Sequence, residues 1–133
     1  MAGGPVSDLQ AMLAGMEPVL ASEPYQFLSS IAEQEFARNH EKIFALVYED
    51  EGLTCVIRAE PSDDAVQFAR ITLSVHSDLE GVGLTAAVAN TLAKAGIACN
   101  VIAAFHHDHL FVPWNRRNQA LALLEKLSDD ARR

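Results

Sequence analysis

Apolar and polar residues alternate most clearly just after the middle of the chain. Ile71, Leu73 and Val75 are separated by single polar residues, which predicts a strand with one apolar face. A stripe at helical spacing follows, formed by Leu84, Ala87, Val88, Thr91, Leu92 and Ala95. Gly96 then ends the predicted helix at a position where a left-handed residue is favoured.

Two more strands and a second helix are predicted in the rest of this half. One strand covers residues 97–105, and the next covers residues 110–112 before Pro113 stops it. Asn115 is a suitable N-cap for a final helix. The apolar face of that helix is formed by Ala120, Leu121, Leu124 and Leu127. The order strand, helix, strand, strand, helix predicts an α+β, ferredoxin-like sandwich, in which helices cover one face of an antiparallel sheet that lacks its last strand.

The beginning of the chain is predicted to be helical over residues 7–20. Capping-box spacing at its start and Met and Leu residues at helical intervals support this helix, while Pro18 limits its last turn. Residues 25–30 alternate weakly and predict a short strand. Residues 32–40 are polar and unpatterned, and they fit either a loop or one turn of helix.

A β-hairpin is predicted in the middle of the N-terminal half. Residues 43–49 and 53–58 are rich in β-branched and aromatic side chains, which favours strands. Residues 50–52 between them have the composition of a hairpin turn. The two segments therefore form an antiparallel pair.

A short connection at residues 61–67, with the composition of a helical turn, separates two halves of the sequence. We predict an N-terminal domain over residues 1–67 and a C-terminal domain over residues 68–133. Either the 25–30 strand or the hairpin can supply a strand to complete the C-terminal sheet, because an uncovered sheet edge needs a partner.

The composition favours a soluble cytoplasmic protein. Half of the 133 residues are apolar, enough for an ordinary core, yet no apolar run reaches the roughly 20 residues of a membrane-spanning helix. The formal charge of -8 and the scarcity of basic pairs argue against nucleic-acid binding. The start lacks the features of a secretory signal. Two cysteines, Cys55 and Cys99, do not form a disulfide framework.

The sequence His106-His107-Asp108-His109 is the most conspicuous chemical feature. Adjacent residues of a strand point to opposite faces, so these side chains converge only if a turn bends them together. A zinc site needs about three or four ligands, for which His76 is a further candidate. A small metal-dependent enzyme is therefore an alternative to a polar hairpin tip. We assign no catalytic residue, no metal and no cofactor, and we predict a protein that is not an enzyme.

The turn before the 84–95 helix is a candidate binding site. A glycine-containing loop that enters a helix presents free backbone N–H groups and the positive end of the helix dipole, which suits a carboxylate. Gly81 and Gly83 either allow a ligand to approach closely or only let the strand pack against the helix. Asp78 and Glu80 are candidates to contact a ligand amine, or to act as favourable charges at the helix start.

Three segments resemble the ACT-domain pattern. Residues 75–84 read V-H-S-D-L-E-G-V-G-L and residues 92–97 read L-A-K-A-G-I, which is similar to its strand, glycine turn and helix end. Residues 100–113, N-V-I-A-A-F-H-H-D-H-L-F-V-P, resemble the second and third strands of the ACT subgroup of arginine-sensing and aspartokinase-related proteins. The resemblance covers about residues 70–127. Val82 departs from it, since many members have proline there.

The resemblance implies a regulatory fold that pairs side by side, often as a tandem of two units. The N-terminal half is a candidate for a degenerate or rearranged second unit. Small ligands, typically amino acids, lie between the glycine turn of one unit and the second strand of its neighbour. The matching positions here are Asp78, Leu79, Glu80, Gly81, Val82, Gly83, Asn100, Val101, Ile102 and Ala103.

These observations lead to one functional prediction and one main alternative. We predict a regulatory or ligand-sensing module for an amino acid or a similar small molecule, which forms a homodimer through sheet or helix contacts. The alternative is a structural dimerisation module that binds no ligand. Neither reading involves nucleic acid or a membrane.

Overall fold

A computed structural model describes residues 7–29 and 37–133 of the chain. In chain order its elements are α1 (Leu9–Ala14), β1 (Pro18–Ser29), a 3-10 turn (His40–Lys42), β2 (Ile43–Glu49), β3 (Gly52–Arg58), β4 (Phe68–Leu73), α2 (Leu84–Lys94), β5 (Asn100–Ala103), β6 (Asp108–Pro113), a 3-10 turn (Trp114–Arg116) and α3 (Arg117–Ala131). The end of the predicted 25–30 strand and most of the 32–40 segment lie outside the described residues.

The described chain forms two compact units. The first contains the segments up to Ala21 and from Ala69 onward, and the second is Ser22–Phe68. The first unit therefore joins the beginning of the chain to its C-terminal half. The division into domains at residues 67 and 68 stays a prediction.

The first unit is the ferredoxin-like sandwich that the sequence predicts. Its strands lie in the order β1-β4-β6-β5, and β5 pairs antiparallel with β6, with Val101 opposite Leu110. The strand beside β4 is the beginning of β1, just after the point where the Ser74 amide donates to the Met16 carbonyl at 2.7 Å. The missing strand of the C-terminal half is thus supplied by β1, the strand that contains residues 25–29 of the predicted 25–30 strand, and the predicted α+β fold class is confirmed.

The core of this unit contains one face of β4 and the apolar faces of all three helices. The predicted alternation of β4 is confirmed, because Ala69, Ile71 and Leu73 are buried between partly exposed neighbours. Met12 and Met16 are also fully buried in the same cluster. The start of the chain therefore contributes to a core that is otherwise built from the C-terminal half.

The predicted helix over residues 7–20 is wrong in its second half. Asp8, the N-cap, accepts a hydrogen bond from the Ala11 amide at 2.9 Å, and α1 ends at Ala14. Glu17 has a φ of 39°, a left-handed conformation that interrupts a helix. Pro18, which has no amide hydrogen, then begins a strand, because the chain finds a sheet partner in β4.

The second unit contains the predicted hairpin, which is confirmed. Its strands lie in the order β2-β3-β1, with β3 antiparallel to both neighbours. Residues 61–67, within the described chain, contain bends and no helix, so the predicted helical turn is wrong. The side chain of Gln67 stabilises this connection instead. It donates to the Glu60 carbonyl at 2.7 Å and accepts from the Ser62 amide at 3.0 Å.

The remaining predicted elements differ from the structure in where they begin or end. The strand predicted over residues 97–105 is confined to β5, and Asn115 lies in the 3-10 turn instead of capping α3. The Arg117 guanidinium lies 3.8 Å above the centre of the Trp114 ring and holds this turn. Of the helices described, none combines the length and apolarity needed to cross a bilayer.

Candidate functional site

A cavity of about 140 Å³ lies at the glycine turn in the first unit. The turn, the start of α2, α1 and the facing ends of β5 and β6 all contribute to its wall. The lining residues are Met12, Ser77, Asp78, Leu79, Gly81, Gly83, Leu84, Thr85, Ala103 and Asp108.

The turn itself uses some of its own backbone donors. The Gly81 amide donates to the Asp78 carbonyl at 2.8 Å, and the Glu80 amide donates to Asp78 Oδ1 at 2.9 Å. These two amides are therefore not available to a ligand. They instead fix the turn in one shape.

The start of α2 keeps its backbone donors. Gly83 is the N-cap and makes no side-chain hydrogen bond to the helix, and the first N–H groups of any helix lack intrahelical acceptors. Leu84 and Thr85, the first two residues of α2, line the cavity. The start of α2, where backbone amides lack intrahelical acceptors and the helix dipole is positive, thus forms part of the cavity wall, an arrangement that suits an anion.

Two carboxylates line the same cavity. Asp108, at the start of β6, is 9% exposed, and its Oδ2 accepts a hydrogen bond from Ser77 Oγ at 3.2 Å. Asp78 contributes the second carboxylate and is partly buried. Because carboxylates attract a cation and helix-start amides attract an anion, the cavity is chemically complementary to a zwitterion.

Helix α1 packs directly over the two glycines. A Cβ on Gly83 would lie 3.0 Å from Leu9 Cδ2, and a Cβ on Gly81 would lie 3.3 Å from Met12 Sδ and 3.0 Å from the Asp78 carbonyl oxygen. A Cβ at either position would therefore require these neighbouring atoms to shift. Close packing therefore favours glycine at both positions, and at Gly83 the φ of 106° favours it as well.

The structure brings only part of the predicted site together. The predicted residues that line the cavity are Asp78, Leu79, Gly81, Gly83 and Ala103. The predicted residues that lie outside its lining are Glu80, Val82, Asn100, Val101 and Ile102. Val82, at 82% exposed, faces solvent. A binding role for any of these residues stays a prediction.

Sequence reasoning missed several lining residues. The residues that it does not assign to the site are Met12, Ser77, Leu84, Thr85 and Asp108. Met12 belongs to an ordinary apolar helical stripe, so no sequence signal separates it from the core. For Asp108, which sequence reasoning places in a hairpin turn, the position among the histidines is the one available signal.

The histidines form a loose group of rings near the cavity. The ring centres of His76 and His106 are 5.9 Å apart, and those of His107 and His109 are 6.5 Å apart. Thr72 Oγ1 and His109 Nδ1 share a hydrogen bond at 2.8 Å. Within residues 7–29 and 37–133, no group of three or more His, Cys, Asp or Glu side chains is arranged to hold a metal ion.

A larger surface hollow of about 530 Å³ lies where the end of α3 meets the start of β1. Its main cation, Arg132, already donates to the Ala14 carbonyl at 2.7 Å and pairs with Asp129. The hollow therefore has fewer polar groups available to a ligand than the cavity at the glycine turn.

Comparison with known proteins places the chain among ACT-domain proteins. One ACT-domain family model matches residues 66–126, and a second matches residues 5–67. Together the two matches extend over most of the chain, which therefore belongs to the ACT-domain family. Assignment to the arginine-sensing and aspartokinase-related subgroup stays a prediction.

Two solved structures are similar to this chain in fold. A Vibrio cholerae protein of unknown function, described as a possible transport protein, is 38% identical, with 90% of this chain and 95% of that chain covered and a TM-score of 0.76. A protein from Agrobacterium tumefaciens is 21% identical, with 80% and 84% covered and a TM-score of 0.57, and shows a similar fold. No curated protein matches this chain significantly.

Proposed function

We propose that this protein is a regulatory binding module for a small amino acid, and that it is not an enzyme. One observation carries the proposal: a single cavity is lined both by the uncapped start of α2 and by the carboxylates of Asp78 and Asp108. Membership of the ACT-domain family supports it, because ACT domains generally bind small regulatory ligands.

The proposed binding mode assigns each charged end of the ligand to one part of the wall. The ligand carboxylate accepts hydrogen bonds from the amides of Leu84 and Thr85, where the dipole of α2 favours negative charge. The ligand ammonium donates to Asp108 and Asp78, in hydrogen bonds strengthened by charge on both partners. Ser77 Oγ, which already donates to Asp108, keeps that carboxylate oriented.

The volume of the cavity indicates the size of ligand that it can hold. A protein cavity of about 150 Å³ holds benzene, which has about six non-hydrogen atoms. The cavity here, at about 140 Å³, therefore fits an amino acid of the size of alanine or serine.

The proposal of binding without catalysis rests on the state of the nucleophilic groups. Burial raises the pKa of the Cys55 and Cys99 thiols, which disfavours the reactive thiolate. Ser77 Oγ donates to a carboxylate, and an activated serine usually has a histidine as its base.

Isothermal titration calorimetry and thermal shift with the twenty common amino acids test the proposal. We expect a small zwitterionic amino acid to bind, and to stabilise the protein by about 2.7 kcal/mol at about 100 times its dissociation constant. Asp108→Asn keeps the shape of the side chain but removes its charge. It should weaken binding by about 10-fold to 100-fold, since a hydrogen bond to a charged group contributes about 1.5–3 kcal/mol.

The matched control is Asp63→Asn, which removes an exposed carboxylate that belongs to the second unit and does not line the cavity. This variant should bind as the unaltered protein does. Absence of any amino-acid binding, or equal binding by both variants, would contradict the proposal.

Assembly and location are further parts of the proposal. We expect a homodimer, as ACT domains often form, and a cytoplasmic protein. Sedimentation equilibrium tests the first expectation, and a purely monomeric protein at micromolar concentration would contradict it.

A further inference from the structure

We infer that Met12 determines the specificity of this cavity by limiting the length of the ligand side chain. The inference rests on the proposed function, because it concerns the same cavity. Met12 comes from α1, an element that lies far along the chain from the glycine turn and its strands. Its side chain is 1% exposed and lines the cavity beside Gly81.

Of the lining residues, Met12 and Leu84 are the two buried apolar side chains of substantial size. Leu84 is the first residue of α2, and in the proposed binding mode its backbone amide donates to the ligand carboxylate. Met12 lies four residues after the N-cap of α1, and its amide donates to the Asp8 carbonyl at 2.8 Å. Met12 therefore contributes only its apolar side chain to the cavity. It affects the volume of the cavity but provides no hydrogen-bonding group to a ligand.

Helix α1 is held firmly enough to define a wall. The Ala14 carbonyl accepts hydrogen bonds from Arg132 at 2.7 Å and from Ser128 Oγ at 3.3 Å, and the Met16 carbonyl accepts from the Ser74 amide at 2.7 Å. Contacts on both sides of the chain thus fix the position of Met12. A ligand atom that overlaps its thioether cannot be accommodated by a simple displacement of the helix.

Met12→Ala removes the part of the side chain beyond Cβ and opens the cavity toward α1. A side chain with about three more non-hydrogen atoms, such as that of leucine or methionine, then fits. Because one methylene in an apolar pocket changes binding by about 10-fold or more, the preference between alanine and leucine should shift toward leucine by at least about 10-fold.

The full chain offers a matched control in Met16→Ala. Met16 is as deeply buried in the same core but does not line the cavity. It removes the same atoms and should destabilise the protein similarly, while leaving the preference among glycine, alanine, leucine and methionine unchanged. Titration calorimetry with these four amino acids on both variants and the unaltered protein measures the preference.

The outcomes separate this inference from the proposed function. If the unaltered protein binds none of the common amino acids, the proposed function fails and this inference fails with it. If it binds alanine but Met12→Ala keeps the same preference as Met16→Ala, only the role of Met12 is overturned. If it already binds leucine as tightly as alanine, Met12 sets no limit. Where Met12→Ala does not fold, Met12→Val provides a smaller enlargement, and we expect a shift in the same direction.

Discussion

Gly83 carries two separate constraints at a single residue. Its φ of 106° is a conformation that side-chain-bearing residues rarely adopt, and Leu9 occupies the space into which a Cβ would project. Gly96 also has a positive φ, of 72°, but no atom lies within 4 Å of where its Cβ would be. The pair therefore allows backbone strain and steric contact to be measured separately.

Gly83→Ala is expected to lower the free energy of unfolding by about 1–3 kcal/mol, from strain and contact together. Gly96→Ala should cost about 1 kcal/mol, from strain alone. Urea denaturation of both variants measures the difference.

Leu9→Ala supplies the control for this comparison. Combined with Gly83→Ala it should recover part of the loss, with an interaction energy of about 0.5 kcal/mol or more, because the clashing methyl group is removed. Combined with Gly96→Ala it should recover nothing. Equal costs for the two glycine variants and no coupling to Leu9 would show that the contact is unimportant.

His109 is the residue whose titration should affect stability. Burial, and secondarily the positive charges of Arg70 and His107, lower the pKa of His109 from 6.5 to about 4. The unfolded chain therefore binds a proton between these values that the folded chain does not. Stability is complete above pH 6.5 and falls as the pH decreases toward 4.

His109→Asn tests this effect, since asparagine can keep a hydrogen bond to Thr72 but does not titrate. The free energy of unfolding of this variant should fall less steeply between about pH 6.5 and about pH 5 than that of the unaltered protein. Urea denaturation at several pH values measures both slopes. The exposed His40→Asn serves as the control and should keep the original slope, while identical slopes in all three proteins would exclude His109 as the source.

At the scale of elements, the sequence predicts the helices and strands that depend only on neighbouring residues. The alternation of β4, the stripe of α2 ended by Gly96 and the turn composition of the hairpin each lie within a short window. The transition from α1 to β1 depends on a distant segment, because the Met16 carbonyl accepts a hydrogen bond from the Ser74 amide, 58 positions along the chain. Local pattern extends the helix to residue 20, but the distant strand partner ends it at residue 14.

The candidate site likewise contains one part that can be predicted from local sequence and another part that depends on distant segments. The glycine turn is recognisable because its chemistry lies in consecutive residues. Met12 and Asp108 come from segments far apart in the sequence, and only the fold brings them to the same cavity. Family resemblance assigns the second strand to the site, and here only its last residue, Ala103, reaches the cavity wall.

At the scale of the whole molecule, the first unit depends on both ends of the chain. A fragment of residues 68–133 lacks α1 and the beginning of β1, and so loses Met12 and Met16 from its core. Loss of two buried methionines costs several kcal/mol, a large part of the stability of a typical domain. We therefore expect this fragment not to unfold cooperatively.

A linked variant provides the comparison for this fragment. Residues 7–21, joined by a flexible linker to residues 69–133, restore the missing helix and strand and should melt cooperatively when followed by circular dichroism. If the 68–133 fragment alone melts as sharply, the N-terminal segment is not needed for the fold of the C-terminal half.

The hydrogen bonds from Ser128 and Arg132 to the Ala14 carbonyl span 114 and 118 positions of the chain. During translation at about 5–20 residues per second, α1 waits on the order of ten seconds after its own synthesis before these partners are made. Until then the Ala14 carbonyl lacks both of these partners. Helix α1 therefore completes its contacts with α3 only after the end of α3 has been synthesised.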